Sequence, residues 1–149
     1  MKKYELQPTD LTMPNGKPLF RVVALRDFGS VLKGDEGGYV ESEANLSHYG
    51  DCWVFGNARV FGNARVFDDA RVYGNAWVSD NALVFGDAVV SDDAWVYANA
   101  VVSGDAWVSD DARVFDNARV YGNARISGDA RVYGAACNHD NCPKCGEKL

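Results

Sequence analysis

One stretch of this chain gathers metal-ligating residue types: Cys137-Asn138-His139-Asp140-Asn141-Cys142-Pro143-Lys144-Cys145-Gly146. Cys142-Pro-Lys-Cys145-Gly has knuckle spacing, in which a tight turn brings two thiolates to one ion and Gly146 lets the backbone bend around them. Tetrahedral zinc needs two further ligands, and Cys137 and His139 are the obvious ones. Residues two apart point the same way only in extended chain, so the bite of this second pair is small. Four protein ligands close the coordination shell and leave no position for a reactive water. The expected zinc is therefore structural, a staple for a tail too short to build its own core. The alternative is a tail with free thiols.

General acid–base chemistry has little to work with. The chain holds two histidines, His48 and His139. His48 precedes Tyr49-Gly50 and is the one candidate base outside the metal-like cluster, against the plainer reading of a corner or cap residue.

The element that must position everything else is a repeat. From Asp51 to Gly134 a six-residue unit, [Asn/Asp]-Ala-x-Val-x-[Gly/Asp/Ala], recurs fourteen times without insertion, and a repeat of this kind outranks other signals. Apolar second and fourth positions with variable third and fifth positions give the alternation of a short strand, Ala and Val inward. The sixth and first positions pair residues that tolerate positive φ or bond their own backbone, so each strand ends in a corner. One Ala and one Val bury nothing alone, so the strands must stack. Three units per turn make a triangular prism. At eighteen-residue intervals one corner is Asn63, Asn81, Asn99, Asn117, a second is Asp51, Asp69, Asp87, Asp105, Asn123, and the third is Asn57, Asn75, Asp93, Asp111, Asp129.

The Val-x-x-x-Ala spacing, as in Val60 and Ala64, resembles the hexapeptide-repeat family, whose fold is the left-handed parallel β-helix. The segment DFGSVLKGDEGGYVESEANLSHYGDCWV, from Asp27 to Val54, is similar to the entry segment of bacterial and phage proteins of this type, many of which carry transferase labels inferred from fold. The resemblance implies an all-β, left-handed triangular solenoid and a homotrimer. It also implies that an acyltransferase of this fold would use a histidine base beside an extruded loop and a cleft between subunits. No loop interrupts residues 51 to 134, and two histidines are too few for a three-histidine metal site of the carbonic-anhydrase type.

The outward positions are unusually aromatic. One face carries Arg59/Phe61, Trp77/Ser79, Trp95/Tyr97, Arg113/Phe115 and Arg131/Tyr133; a second carries Arg65/Phe67, Leu83/Phe85, Val101/Ser103 and Arg119/Tyr121; the third carries Trp53/Phe55, Arg71/Tyr73, Val89/Ser91, Trp107/Ser109 and Arg125/Ser127. Cross-strand stacking accounts for most of these. Apolar rows on solvent-facing positions also mark covered surfaces. Phe67, Leu83, Phe85 and Val101 form the least polar patch and are assigned to self-association. Trp77, Trp95 and Tyr97, bounded by Arg59 and Arg113, suit a protein partner or a flat anionic ligand. Asp51, Asp69, Asp87 and Asp105 would stack about 4.8 Å apart, which requires either Asx-turn bonding within each corner or a bound cation.

With 149 residues and a net charge of −6, the chain has room for one solenoid with caps and no general nucleic-acid surface, although Arg59, Arg65, Arg71 and Arg113, Arg119, Arg125, Arg131 form two local belts. Residues 1–36 break the repeat, with a turn at Pro14-Asn15-Gly16 before the apolar run Leu19 to Leu25, and read as an N-terminal hairpin cap. Residues 37–134 form the solenoid, in which GGYVES and EANLSH are degenerate units, and 135–149 form a zinc-knuckle-like cap. Cys52 replaces an inward Ala as a buried thiol, and the clustering of the other three cysteines suits metal in a reducing compartment. MKKYELQPTD contains no long apolar segment, so neither signal peptide nor membrane span is expected and cytoplasm is the default. The resulting reading is a non-catalytic binding or structural protein, of phage or bacterial type, acting on a host protein or small ligand. Its rivals are an acyltransferase with an acyl-CoA donor and an oligomeric sponge for a small nucleotide signal.

Overall fold

The computed structural model describes residues 2–13 and 16–133, and the backbone of 136–137. Within them the six-residue units coil into a parallel β-solenoid with three sheets. Each unit contributes a short strand at its third and fourth positions, such as Arg59–Val60 or Trp77–Val78. Strands eighteen residues apart pair in parallel: Val60 with Val78, Val78 with Val96, Val96 with Val114. Backbone amides of one rung donate to carbonyls of the next, as from Arg59 to Ala76 at 2.9 Å and from Phe61 to Val78 at 3.0 Å. Each unit thus places its polar backbone in the ladder and leaves only its Ala and Val for the interior.

That interior is as the alternation predicts. Ala58, Val60, Ala64, Val66 and their successors through Val120 and Ala124 are buried, with Ile126 the single isoleucine in the series. Cys52 occupies the same register and is fully buried.

The corners turn on backbone conformation. Every sixth position from Gly56 to Gly128 has positive φ, and six of them are not glycine: Asp68, Asp80, Asp92, Ala98, Asp110 and Asp116, all between 58° and 60°. Aspartate tolerates this region because its carboxylate bonds nearby amides. Here the partners lie one turn on. Asp68 Oδ2 accepts from Gly86 N at 3.1 Å, Asp80 Oδ2 from Ala98 N at 3.1 Å, and Asp110 Oδ2 from Gly128 N at 2.9 Å. The first positions also bond between turns, but with the opposite sense: Asp69 Oδ1 accepts from Asp51 N, one turn back, at 3.1 Å, and Asn63, Asn81 and Asn99 form an amide ladder at 3.2 and 3.3 Å. For Asp69 the expected local Asx-turn is thus replaced by a bond to the neighbouring rung. These corner bonds run along the coil because stacked corners bring a neighbouring rung's amide within reach.

At the N-terminal end, β1 (Tyr4–Thr12) and β2 (Pro18–Ala24) form an antiparallel hairpin. β3 (Glu36–Val40) pairs antiparallel with β2 and parallel with the Arg59–Val60 strand. This one strand joins cap to coil, making the first sheet eight-stranded while the other two have five. Its glycines permit the close approach: a Cβ on Gly37 would lie 2.4 Å from Val54 O, and one on Gly38 would lie 2.6 Å from Ala58 O.

Two expectations are modified at this junction. In EANLSH the second and third positions depart from the unit, since Glu43–Asn45 form a single 3-10 turn capped by Ser42, with Ala44 exposed and Asn45 fully buried, while the fourth position, Leu46, keeps the inward place, fully buried and bridged in parallel to Val66. Asn45 Oδ1 accepts from Glu41 N and Ser42 N, while its Nδ2 donates to Gly62 O and Ala64 O. Those four bonds outweigh the pattern of the unit. Trp53, expected on an outer face, is 1% exposed because the cap wraps it. Phe28 and Tyr4 meet its ring edge-on at 5.1 and 6.1 Å.

Candidate binding surface

Parallel register places the third-position residues of sheet one in a single column, Arg59, Trp77, Trp95, Arg113, Arg131. Trp77 and Trp95 stack with ring centroids 5.2 Å apart and planes 9° apart. The Arg59 guanidinium lies 5.4 Å from the Trp77 ring centre and that of Arg113 lies 5.0 Å from Trp95. Both indoles are sandwiched, so they present edges to solvent. A flat ligand would have to displace an arginine or part the two indoles to reach a ring face. The fifth positions form a second column, in which Tyr97 stacks on Phe115 at 5.2 Å and Phe115 on Tyr133 at 5.2 Å. Tyr97 also meets Trp95 edge-on at 6.0 Å, so the two columns interlock.

Charge is uneven along this face. Asp93, Trp95, Asp111, Arg113, Asp129 and Arg131 line one open depression of about 530 Å³. Arg113 and Arg131 share it with three carboxylates, whereas the corner residues beside Arg59 and Trp77 are Asn57 and Asn75. A free anion at the depression meets both signs at once.

The five-stranded sheet that holds Arg65–Val66, Leu83–Val84 and Val101–Val102 brings together the four residues assigned to self-association. Leu83 and Val101 are register neighbours, flanked by Arg65 and Arg119. Phe67 and Phe85 stack beside them with centroids 4.8 Å apart and planes 6° apart. All four are half-buried within the chain.

The three sheets share a pattern that reading each face separately conceals. On the turn after the cap, the third positions are Arg59, Arg65 and Arg71. On the next two turns they are Trp77, Leu83, Val89, Trp95, Val101 and Trp107, all apolar or aromatic. From Arg113 to Arg131 they are all arginine again. An apolar waist thus runs around all three faces between two arginine collars. Trp107 is its most exposed member at 40%, with Arg125 5.7 Å from its ring centre and its Nε1 donating to Ser91 Oγ at 3.4 Å. The signal was available in the sequence as a change of residue type every eighteen residues.

His48 is held between cap and coil. Its Nδ1 accepts from Lys3 N at 3.1 Å, which places the proton on Nε2, and Nε2 donates to Glu43 Oε1 at 2.8 Å. The Tyr4 ring stacks on the imidazole at 4.1 Å, and the Tyr4 hydroxyl donates to Leu46 O. Both ring nitrogens therefore serve the junction. The His48 hydrogen bond, with help from Lys2 at 3.1 Å, holds the Glu43 carboxyl below its usual range. Burial raises the Tyr4 hydroxyl above the usual tyrosine range.

Sequence patterning missed Lys3, which is fully buried. Its Nζ donates to Cys52 O at 2.8 Å and Gly50 O at 3.2 Å, lies 3.4 Å from Cys52 Sγ, and sits 4.7 Å from the Phe28 ring centre. Burial pushes the Lys3 amine down from its ordinary value and the Cys52 thiol up. A lysine three residues into a polar start carries no periodicity by which to foresee this.

Of the expected zinc ligands, Cys137 lies in the strand Ala136–Cys137, whose backbone pairs with Arg119 and Val120. The Cys137 side chain, His139, Cys142 and Cys145 lie outside the described residues. Among the described residues no group of three or more His, Cys, Asp or Glu is placed to hold a metal, the corner aspartates included. No helix among them is long and apolar enough to cross a membrane.

The class defined by this geometry is a β-solenoid repeat protein. Residues 64–80, 76–92, 106–122, 112–125 and 124–140 match the YdcK beta solenoid repeat family, to which the chain is similar over those segments. No curated protein matches the chain.

Proposed function

We propose that this protein is a non-catalytic β-solenoid scaffold whose exterior recognises another protein. The observation that carries the reading is the apolar waist between arginine collars. Tryptophan, tyrosine and arginine are the side chains that dominate binding hot spots, and here stacking holds them rigid before any partner arrives, which lowers the entropic cost of association. The sandwiched indoles and the mixed charge beside Arg113 favour a protein surface over a small anionic ligand. His48, with both nitrogens engaged at the cap, supports a structural role over that of a general base.

The coil is read as left-handed and of the hexapeptide-repeat type. Phe67, Leu83, Phe85 and Val101 are the proposed contact between copies, in a homotrimer. The partner is a host protein if the chain is phage-encoded, and the setting is cytoplasmic. Cys137, His139, Cys142 and Cys145 are proposed to hold one structural zinc. Elemental analysis of protein prepared without added metal should find it, and Cys145→Ser should lose it.

The deciding experiment compares wild type with Trp77→Ser/Trp95→Ser for capture of proteins from host extract, alongside titration with acyl-CoA donors. Capture by wild type that the folded double variant loses is the expected result. Saturable donor binding with product formation abolished by His48→Ala would replace this reading with an acyltransferase.

A further inference from the structure

We infer that Lys3 and Cys52 form an oxidative cross-linking site, in which peroxide joins Lys3 Nζ to Cys52 Sγ and locks the N-terminal cap onto the first turn of the solenoid. This inference is independent of the proposed binding function.

The geometry supplies the nucleophile. Burial lowers the Lys3 amine from its ordinary value, so the ammonium gives up a proton more readily than a solvated lysine does. A neutral amine has two N–H bonds and one lone pair. In the folded chain Nζ donates to Cys52 O at 2.8 Å, to Gly50 O at 3.2 Å and to Cys52 Sγ at 3.4 Å; loss of the proton on the third contact leaves the lone pair facing sulfur while the two carbonyls keep the remaining N–H bonds. The sulfur is buried but lies close to the surface. It is 3.5 Å from Ser47 O and 3.8 Å from Tyr49 O, and both residues line an open depression with His48. A molecule as small as hydrogen peroxide has one layer of chain to pass.

The chemistry balances in two steps. The Cys52 thiol and hydrogen peroxide give a sulfenic acid and water, sulfur losing two electrons and the peroxide gaining them. The Lys3 lone pair then attacks sulfur, the S–N bond forms as the S–O bond breaks, and the hydroxide leaves with an amine proton as a second water. Sulfenic acids condense with thiols or nitrogen in this way. A free thiol would resolve the sulfenic acid first in an open site, but among the described residues Cys52 is enclosed with an amine as its neighbour. A raised thiol makes the first step slow, which suits a device that responds to sustained oxidant. The link spans 49 residues of chain, so it restricts the unfolded state and raises resistance to unfolding.

The test treats the full folded chain with hydrogen peroxide, alkylates free thiols after denaturation, and maps proteolytic fragments by mass spectrometry. The expected product is a fragment pair containing Lys3 and Cys52, lighter by two hydrogens than the sum of its parts, reversed by dithiothreitol and accompanied by a higher unfolding temperature. Cys52→Ala restores the repeat's own residue, keeps the fold and should abolish the pair. Wild type oxidised in concentrated urea should not form it, since only folding brings the two groups together. The inference is overturned if folded, oxidised protein keeps a free Lys3 amine, whether Cys52 remains alkylatable, ends as a sulfinic acid, or pairs with Cys137, Cys142 or Cys145.

Discussion

Trp77 and Trp95, eighteen residues apart in sequence, lie face to face with centroids 5.2 Å apart, and Arg59 and Arg113 close the two ends of the stack. Each indole therefore helps the next rung as well as any partner. Replacing both by Ser removes one stacked pair, worth about 0.5–1.5 kcal/mol, and two exposed cation–π contacts, about 0.5–1 kcal/mol each. The double variant should melt at lower temperature yet keep a β-sheet circular dichroism spectrum, and it should lose partner capture. Unchanged capture by the folded variant would remove sheet one from the binding surface.

Val84 and Tyr97 separate the inner from the outer face. Val84 is fully buried and Tyr97 half-buried on the outside. Val84→Asp places a carboxylate in a dry core with no partner, which costs several kcal/mol, so the variant should unfold or aggregate. Tyr97→Ser loses stacking on Phe115 and should lower stability by about 1 kcal/mol. Denaturant melts of the two variants check the contrast, and equal tolerance would contradict the register.

Among the described residues, Ala98 is the one corner residue with positive φ that is neither glycine nor aspartate, at 60°. It bears the strain of the left-handed region without a side-chain bond to offset it. Ala98→Gly should raise stability by roughly 1 kcal/mol, the strain relieved being larger than the added entropy of the unfolded chain. A measured loss of stability would show that the corner holds Ala98 by packing that glycine cannot replace.

Asn45 makes four hydrogen bonds at the cap–coil junction. Asn45→Ala leaves the Ser42 amide and the carbonyls of Gly62 and Ala64 short of a partner, while the Glu41 amide keeps Val60 O, with a cost of about 2–5 kcal/mol. Hydrogen exchange should quicken first near residues 41–46. Protection equal to wild type there would mean that water replaces the side chain without loss.

Glu43 gives a pH dependence with a defined sign. The His48 hydrogen bond and Lys2 hold its folded-state pKa below the ordinary 4.5. Its contribution is thus present in full above pH 4.5 and is lost as pH falls through the lowered value. Wild type should exceed Glu43→Gln in urea midpoint at neutral pH, and the gap should close on acidification below 4.5. A gap independent of pH would place the effect in packing.

The repeat made the architecture legible before any coordinate. Ala and Val at fixed positions have one way to escape water, and the sixth-position Gly and Asp have the backbone freedom a corner needs, so coil, inner face and outer face follow from local chemistry alone. The grouping of Leu83 with Val101, and of Trp77 with Trp95, followed from the eighteen-residue interval for the same reason. What folding alone decided lies where the period stops. Lys3 meets Cys52, Tyr4 meets His48, and Trp53 disappears beneath Phe28 because the cap, hairpin and following loop together, folds back over the open end of the coil, and no spacing records contacts between segments that do not repeat. Asn45 turned inward for a related reason: the first rung had carbonyls and amides to satisfy that no preceding rung could reach.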